Sequence, residues 1–197
     1  MPTFKRVFAQ QSWYEGDWDG KNKQGFGVQK FRDGKIYQGE WLRGKPHGLG
    51  TLSSPGSVGM IKLYQGQWMN GQRHGLGTSF SPDRYDGPWV RGKRCGDRGE
   101  LRYVNGDVYV GGFRDDMRHG QGKILFAATG DFYQGSWVND KQSGKGEYFY
   151  ANSSSILTGV WSDGVCKAGS FVAPLGLPEI GLVDPDKVID DAMHTSL

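Results

Sequence analysis

One short phrase recurs along the chain, and its regular return constrains the fold more than any other feature. The phrase is Tyr-x-Gly-x-Trp, and it opens a unit that is written seven times. The seven units start at Tyr14, Tyr37, Tyr64, Tyr85, Tyr109, Tyr133 and Leu157. Successive starts lie 23, 27, 21, 24, 24 and 24 residues apart. A period of this length is typical of a repeat array in which each unit packs on its neighbours.

A second landmark, Gly-x-Gly, follows seven residues after the Trp or Phe of each complete unit. It stands as Gly25–Gly27, Gly48–Gly50, Gly75–Gly77, Gly120–Gly122 and Gly144–Gly146. The fourth unit has Arg98 where its second glycine is expected, and the seventh has Ala168 and Ser170 in the two places. Loss of landmarks in the seventh unit is typical of a terminal capping repeat.

The spacing inside the phrase predicts β-strands. Tyr, Gly and Trp stand at i, i+2 and i+4, which places all three on one face of a strand. The residues that follow are rich in turn formers, and Gly-x-Gly then opens a returning strand. Each unit is therefore expected to be one hairpin, and the array a single-layer, twisted, antiparallel meander of about fourteen strands.

The glycines are expected to serve this sheet. Glycine accounts for 33 of 197 residues, yet aromatic residues reach 13%, which a disordered glycine-rich chain would lack. Glycine inside a strand weakens the strand, so its presence there usually means that another group packs closely against the backbone. We expect a Tyr or Trp ring from the adjacent strand to lie over each residue without a side chain.

These landmarks resemble those of the MORN-repeat family, whose unit runs roughly Y-E-G-x-W-x-x-G-K-x-H-G-x-G. The resemblance covers residues 14–172 and implies an all-β hairpin array. Residues 1–13 are then an N-terminal segment, and residues 173–197 an extended tail with a short C-terminal helix. Asp184 is a suitable N-cap for that helix and Pro185 suits its first turn.

A search for reactive or metal-binding groups favours no enzyme. The histidines His47, His74 and His119 occupy equivalent positions in separate units, so they are expected to lie too far apart to share a metal ion. No catalytic triad order, phosphate-binding loop or dinucleotide motif is present in a suitable context. We therefore expect no catalytic residues, no metal and no cofactor.

Charge, cysteine positions and the lack of long apolar segments indicate the cellular compartment and exclude one class of partner. A net charge of +3 is too small to indicate nucleic acid as the partner. Cys95 and Cys166 lie on non-adjacent units, so no disulfide is expected and a reducing compartment is indicated. The N-terminus lacks the apolar run of a signal peptide and no stretch is long enough to span a bilayer, which predicts a soluble intracellular protein.

Two surfaces of such a strip are candidates for binding. The first is an aromatic groove, although packing is the ordinary role for any single ring of this kind. Its candidate residues are Tyr37, Trp41, Tyr64, Trp68, Tyr85, Trp89, Tyr109, Tyr133 and Trp137. Tyr64 and Tyr85, near the middle of the array, are expected to be exposed.

The second candidate surface is the edge formed by the hairpin turns. Twelve of the 24 basic residues fall in the 42 positions between each Trp or Phe and the next Gly-x-Gly position, where even spreading would give about five. The candidate basic-edge residues are Lys45, Arg73, Arg91, Lys93, Arg94 and Arg118. A solvated rim is the alternative interpretation of this charge.

Two functions fit these surfaces. The first is a non-enzymatic scaffold that binds an extended or helical segment of a partner protein. Resemblance to MORN-repeat proteins implies a cytoskeletal partner and a location in the cytoplasm, in the axoneme of a cilium or flagellum. The alternative is a membrane-associated adaptor whose basic hairpin edge binds phospholipid. We rank the scaffold first, because the bases are spread along the array and no insertion helix or lipidation motif accompanies them.

Overall fold

The computed structural model describes residues 3–172, which form one open antiparallel sheet of sixteen strands. In chain order the strands are β1 (Thr3–Ala9), β2 (Ser12–Asp19), β3 (Asn22–Lys30), β4 (Ile36–Leu42), β5 (Lys45–Gly56), β6 (Gly59–Met69), β7 (Gln72–Ser79), β8 (Arg84–Val90), β9 (Lys93–Arg94), β10 (Gly96–Arg102), β11 (Val108–Arg114), β12 (Met117–Leu125), β13 (Phe132–Val138), β14 (Lys141–Tyr150), β15 (Ser155–Ser162) and β16 (Val165–Val172). The expected all-β, single-sheet array is thus confirmed.

The strands follow one another through the sheet in chain order. Each repeat supplies one hairpin, and only the short β9 lies off the main path, where it pairs with β8. β1 is a strand that the repeat pattern does not contain. It pairs with β2 along its whole length, from Thr3 opposite Trp18 to Ala9 opposite Ser12.

The conformation of the hairpin turns explains which residues stand two and three positions after each Trp. Arg43 and Gly44 have φ values of 51° and 79°, and Asn139 and Asp140 have 49° and 67°. Two consecutive positive φ values define the type I′ turn, whose twist matches that of the flanking strands. Gly, Asn and Asp tolerate this conformation best, and they recur at these turns.

A continuous row of glycines crosses the sheet at its centre. Gly39 stands opposite Gly50, and Gly50 in turn stands opposite Gly66 in the next repeat. Within a repeat, the returning strand carries a bulge just beyond the glycine pair: the register shifts between Gly39 and Trp41, opposite the segment that joins Pro46 to Gly50. The row continues through the two units whose pattern is irregular: Gly99 stands opposite Gly111, and Gly169 opposite Gly159.

The fourth unit therefore keeps its glycine one residue later than the motif predicts. A register shift between Gly96 and Gly99 absorbs the extra residue. Arg98, which occupies the expected glycine position in the sequence, is exposed beside the row. Likewise Gly169, between Ala168 and Ser170, holds the position in the seventh unit.

The core of the array lies on one face of this single sheet. It consists of the repeat tyrosines and tryptophans with Leu101, Phe113 and Ile124. We call this side the ring face and the opposite side the outer face. The helix predicted near the C-terminus lies outside the described residues. Within residues 3–172 there is no helix long and apolar enough to cross a membrane.

Candidate interaction surfaces

The repeat aromatics form an unbroken ladder of ring contacts from Trp18 to Trp161. Each tyrosine touches the Trp or Phe of its own repeat and that of the next. Tyr37, for example, makes edge-to-face contacts with Trp41 at 5.1 Å and with Trp68 at 5.2 Å between ring centroids. Edge-to-face pairs of this kind each add about 0.5–1.5 kcal/mol to the effect of burial. The ladder therefore couples every repeat to its neighbour.

Hydrogen bonds fix the rings in this arrangement. The Tyr37 hydroxyl donates to the Glu40 carbonyl at 2.9 Å, and five other repeat tyrosines make the same bond three residues ahead. The Trp41 indole N–H donates to the Gly27 carbonyl of the preceding repeat at 3.1 Å. Trp68, Trp89 and Trp137 repeat this bond. These bonds satisfy the polar tips of rings that are otherwise enclosed.

The second glycine of Gly-x-Gly provides the space that the tyrosine needs. A Cβ on Gly50 would overlap the phenol of Tyr37, and the same relation holds between Gly77 and Tyr64. The expected fit of a ring into a glycine gap is confirmed at this position. The first glycine serves a different purpose: Gly48 has φ of +59°, and a Cβ there would meet the Glu40 carboxylate at 2.5 Å.

All nine aromatics of the candidate groove are buried, with exposed fractions between 0 and 8%. The expectation that Tyr64 and Tyr85 are exposed is wrong, because the rings of adjacent repeats enclose them. Burial raises the pKa of Tyr64 to about 12 and also raises that of Tyr85. These rings hold the strip together and offer a partner almost no accessible surface.

Cations cover the ladder from the turn side. The Arg73 guanidinium lies 4.1 Å from the Trp89 ring centroid, and that of Arg118 lies 4.3 Å from the Trp137 centroid. Lys23 and Arg94 occupy the same place in their repeats. Burial lowers the pKa of both Lys23 and Arg73, since the charged form loses water there. These cations act mainly as cation–π partners of the core.

Ion pairs also join successive turns along the basic edge. Lys93 pairs with Asp115 at 3.1 Å, and the Arg118 guanidinium with Asp140 at 3.0 Å. Arg94 pairs with Asp116, and Lys141 with Asp163, in the same way. Of the six predicted edge residues, Lys45 and Arg91 stay exposed with no ion pair within residues 3–172. Four of the six predicted edge residues are therefore held by the chain itself, over rings or by carboxylates.

An exposed apolar row lies on the outer face, beside the glycine row. It is formed by the middle residues of the first three Gly-x-Gly pairs, Phe26, Leu49 and Leu76, with exposed fractions of 54, 61 and 65%. Alternation along the strand turns these side chains away from the rings, because Gly27 and Gly50 face the tyrosines. Equivalent positions later in the array are polar, as at Gln121 and Lys145.

Phe26 and Leu49 of this row line a shallow outer groove of about 700 Å³. Gly39, Gly50 and Gly66 lie at its centre. Its remaining lining residues are Phe26, Gln38, Leu49, Thr51, Gln65, Thr78, Phe80 and Arg84. The groove combines apolar side chains with hydrogen-bonding groups that are uncharged except for Arg84, which is the composition of a protein-binding surface more than of a lipid-binding one.

Sequence reasoning overlooked this surface although its signal is present. The middle residue of Gly-x-Gly is flanked by glycines, so a large side chain there has no neighbour in its own strand to cover it. Phe and Leu in three consecutive units are therefore exposed apolar groups. The i+3 residue of the phrase was also overlooked: Glu40 accepts the Leu49 backbone N–H at 2.8 Å and so holds the bulge.

In a comparison with known protein families, six segments of this chain match the MORN repeat. They are residues 14–36, 37–57, 64–84, 85–108, 109–128 and 133–155. Together the six segments cover more than half of the chain. They correspond to the first six repeats, from the hairpin of β2 and β3 to that of β13 and β14.

Curated relatives share the repeats but are far longer. Alsin of Homo sapiens is 38% identical over 89 residues, which is 44% of this chain and 5% of the relative. Alsin of Rattus norvegicus is 37% identical over 119 residues, 60% of this chain and 6% of the relative. ALS2 C-terminal-like protein of Homo sapiens is 34% identical over 89 residues, 44% of this chain and 9% of the relative. The chain thus spans under a tenth of the length of these relatives.

Proposed function

The chain belongs to the MORN-repeat family, and from that premise we propose that it is a non-enzymatic scaffold that binds a partner protein along its outer groove. MORN repeats are in general modules that interact with proteins or lipids. The observation that carries the proposal is the exposed row of Phe26, Leu49 and Leu76 beside the glycine row, with Phe26 and Leu49 lining the groove. Apolar groups aligned in this way beside uncharged polar ones mark protein-binding surfaces.

The spacing of the row suits an extended or helical segment that runs along the array. Successive members of the row are two strands apart, or about 9.6 Å. An extended chain covers that distance in about three residues, and an α-helix in about six or seven. Glycines without side chains allow the partner's backbone to approach closely. Gln38, Thr51 and Gln65 supply hydrogen-bonding groups along the opposite wall.

Phospholipid binding by the basic edge is the alternative function, and charge pairing argues against it. Arg73 and Arg94 are held over rings, and Lys93, Arg94 and Arg118 are paired with carboxylates of the neighbouring turn. Lys45 and Arg91 remain free to meet an anionic headgroup. Each exposed cation contributes about 1 kcal/mol at a charged membrane surface, and the exposed bases of the edge are spread along the array and do not form one cluster.

We place the scaffold in the cytoplasm, in the axoneme of a cilium or flagellum, with a cytoskeletal or axonemal protein as its partner. The support is a finer resemblance to MORN repeat-containing protein 3 of ciliated organisms. It rests on the long entry to the third repeat, TLSSPGSVGMIKLYQGQW, and on the tail LPEIGLVDPDKV.

Proximity labelling in a ciliated cell tests the proposal. The wild-type chain is compared with a double variant, Phe26→Asp with Leu49→Asp, and with a control, Val138→Asp, which places a negative charge on an exposed residue outside the groove. We expect the axonemal proteins labelled by the wild type to be lost with the double variant and kept with the control. An unchanged labelled set with the double variant would reject the groove as the binding surface.

Sedimentation with anionic liposomes at physiological salt distinguishes the alternative. The scaffold proposal predicts no sedimentation of the wild-type chain. Strong sedimentation that is weakened by Lys45→Glu with Arg91→Glu would favour the adaptor, because exposed and unpaired bases are the ones that can bind headgroups.

A further inference from the structure

The first strand leaves one edge of the sheet open. All seven residues of β1 are exposed, and among residues 3–172 only β2 pairs with it. Phe4 and Phe8 are 67 and 72% exposed and lie on the outer face, since they alternate with Lys5 and Val7. An edge strand with free backbone groups and exposed aromatics is a template for another strand.

Charged residues normally protect such an edge, but those of β1 interact with its own sheet. The Arg6 side chain donates to the Glu15 carboxylate of β2 at 2.7 Å. The Lys5 ammonium lies 5.6 Å from the Trp18 ring centroid on the ring face. Both charges thus have partners within the chain, and the row of Phe4 and Phe8 is left uncovered.

We propose that this edge binds a second copy of the chain, with the two β1 strands antiparallel and Arg6 at the two-fold axis. In this register Phe4 of each copy stands opposite Phe8 of the other, and Lys5 stands opposite Val7. Aromatic cross-strand pairs stabilise antiparallel strands. Trp13 already stands opposite Phe8 across β1 and β2, so each pair extends an existing aromatic row.

The charge at the axis supports this register. The two arginines meet at the centre, where like charges alone would repel. Each arginine is already paired with its own Glu15, so the four side chains form a neutral symmetric group. No other antiparallel self-pairing of β1 places both phenylalanines opposite phenylalanine.

Pairing of β1 with the far edge of a second copy fits less well. Fourteen antiparallel steps separate the two edge strands, so β1 and β16 run in the same direction and a head-to-tail contact with matched faces would be parallel. Continuing the glycine row would place Gly169 of β16 opposite Lys5, which sets Phe4 against Ala168 and Phe8 against Val172. Both aromatic pairs would be lost. That contact would also grow without limit, whereas a two-fold contact closes at two copies.

A seven-residue edge is small compared with the ~1,600 Å² of a standard protein interface. The dimer is therefore weak and depends on protein concentration. Sedimentation velocity of the full chain across a wide concentration series measures this directly. We expect the wild type to pass from monomer to dimer and to stop there.

Variants at the two sheet edges test which strand is responsible. Phe4→Asp with Phe8→Asp should raise the dissociation constant by roughly tenfold or more. Phe171→Asp, on the exposed strand at the opposite edge, is the matched control and should leave dimerisation unchanged. Circular dichroism should show an intact sheet in every variant, because the substituted side chains are exposed. A wild type that stays monomeric throughout, that forms longer polymers, or that responds only to Phe171→Asp would overturn the proposal.

Cysteine cross-linking tests the register in a Cys95→Ser, Cys166→Ser background. A mixture of Phe4→Cys and Phe8→Cys chains should form an oxidised dimer, because these positions face each other in the proposed pairing. Phe4→Cys alone should remain uncoupled. Equal cross-linking of both samples would reject the register with Arg6 at the axis.

Discussion

Replacing Trp41 with alanine should destabilise the array strongly. The ring is 4% exposed and touches Tyr14 and Tyr37 at 5.3 and 5.1 Å between centroids. Its indole N–H donates to the Gly27 carbonyl, and the Lys23 ammonium lies 4.6 Å from the ring centroid. Loss of a buried aromatic side chain costs about 3–5 kcal/mol, and loss of the hydrogen bond adds about 1 kcal/mol.

Replacing Trp41 with phenylalanine separates the two contributions. The fifth repeat carries Phe113 at this position, with contacts to Tyr85 and Tyr109 at 5.0 and 5.2 Å, so the ladder accepts the smaller ring. Only the bond to Gly27 and part of the burial are lost. We expect Trp41→Phe to lower the free energy of unfolding by about 1–2 kcal/mol, against about 4–6 kcal/mol for Trp41→Ala.

Urea denaturation followed by far-ultraviolet circular dichroism measures both losses. Hydrogen exchange should locate the damage in β2–β5, because the ring joins the first repeat to the second. Leu49→Ala is the control, since this exposed side chain should change stability by less than about 0.5 kcal/mol. A Trp41→Ala variant within about 1 kcal/mol of the wild type, or a Phe variant as unstable as the Ala variant, would refute the ladder as the source of stability.

Gly50→Ala should lower the melting temperature clearly more than Leu49→Ala, because its Cβ would overlap the Tyr37 phenol; equal melting temperatures would contradict the close fit. Stability should fall as pH rises above about 10, since burial raises the pKa of ladder tyrosines such as Tyr64 to about 12 while unfolded tyrosines ionise near 10. Absorbance at alkaline pH should then show delayed ionisation in the folded chain, and a single titration near 10 with the sheet intact would contradict the burial. Asp140→Asn should cost less than about 1 kcal/mol, because the carboxylate paired with Arg118 is half exposed; a double-mutant cycle with Arg118→Gln measures the coupling.

The repeat phrase by itself determined the architecture. Residues at i, i+2 and i+4 can share a face only in a strand, and the recurrence every 21 to 27 residues allows one hairpin per unit. Both properties are local, so the all-β sheet and its strand order could be predicted without knowing any contact. The fit of Tyr37 over Gly50 was also accessible, because a glycine in a strand requires a reason.

Contacts between neighbouring repeats decided which side chains of each surface are exposed and unpaired. Tyr64 is buried because Trp89 of the following repeat closes over it, and Arg118 is neutralised because Asp140 of the next turn lies within 3.0 Å. The sequence predicted that both residues belong to a face or an edge, but burial and charge pairing depend on side chains about 22 to 25 positions away. The strand β1 was missed for the related reason that it carries no repeat motif and owes its conformation to pairing with β2. Local periodicity therefore determined the fold, whereas packing between neighbouring hairpins decided which of its surfaces can bind a partner.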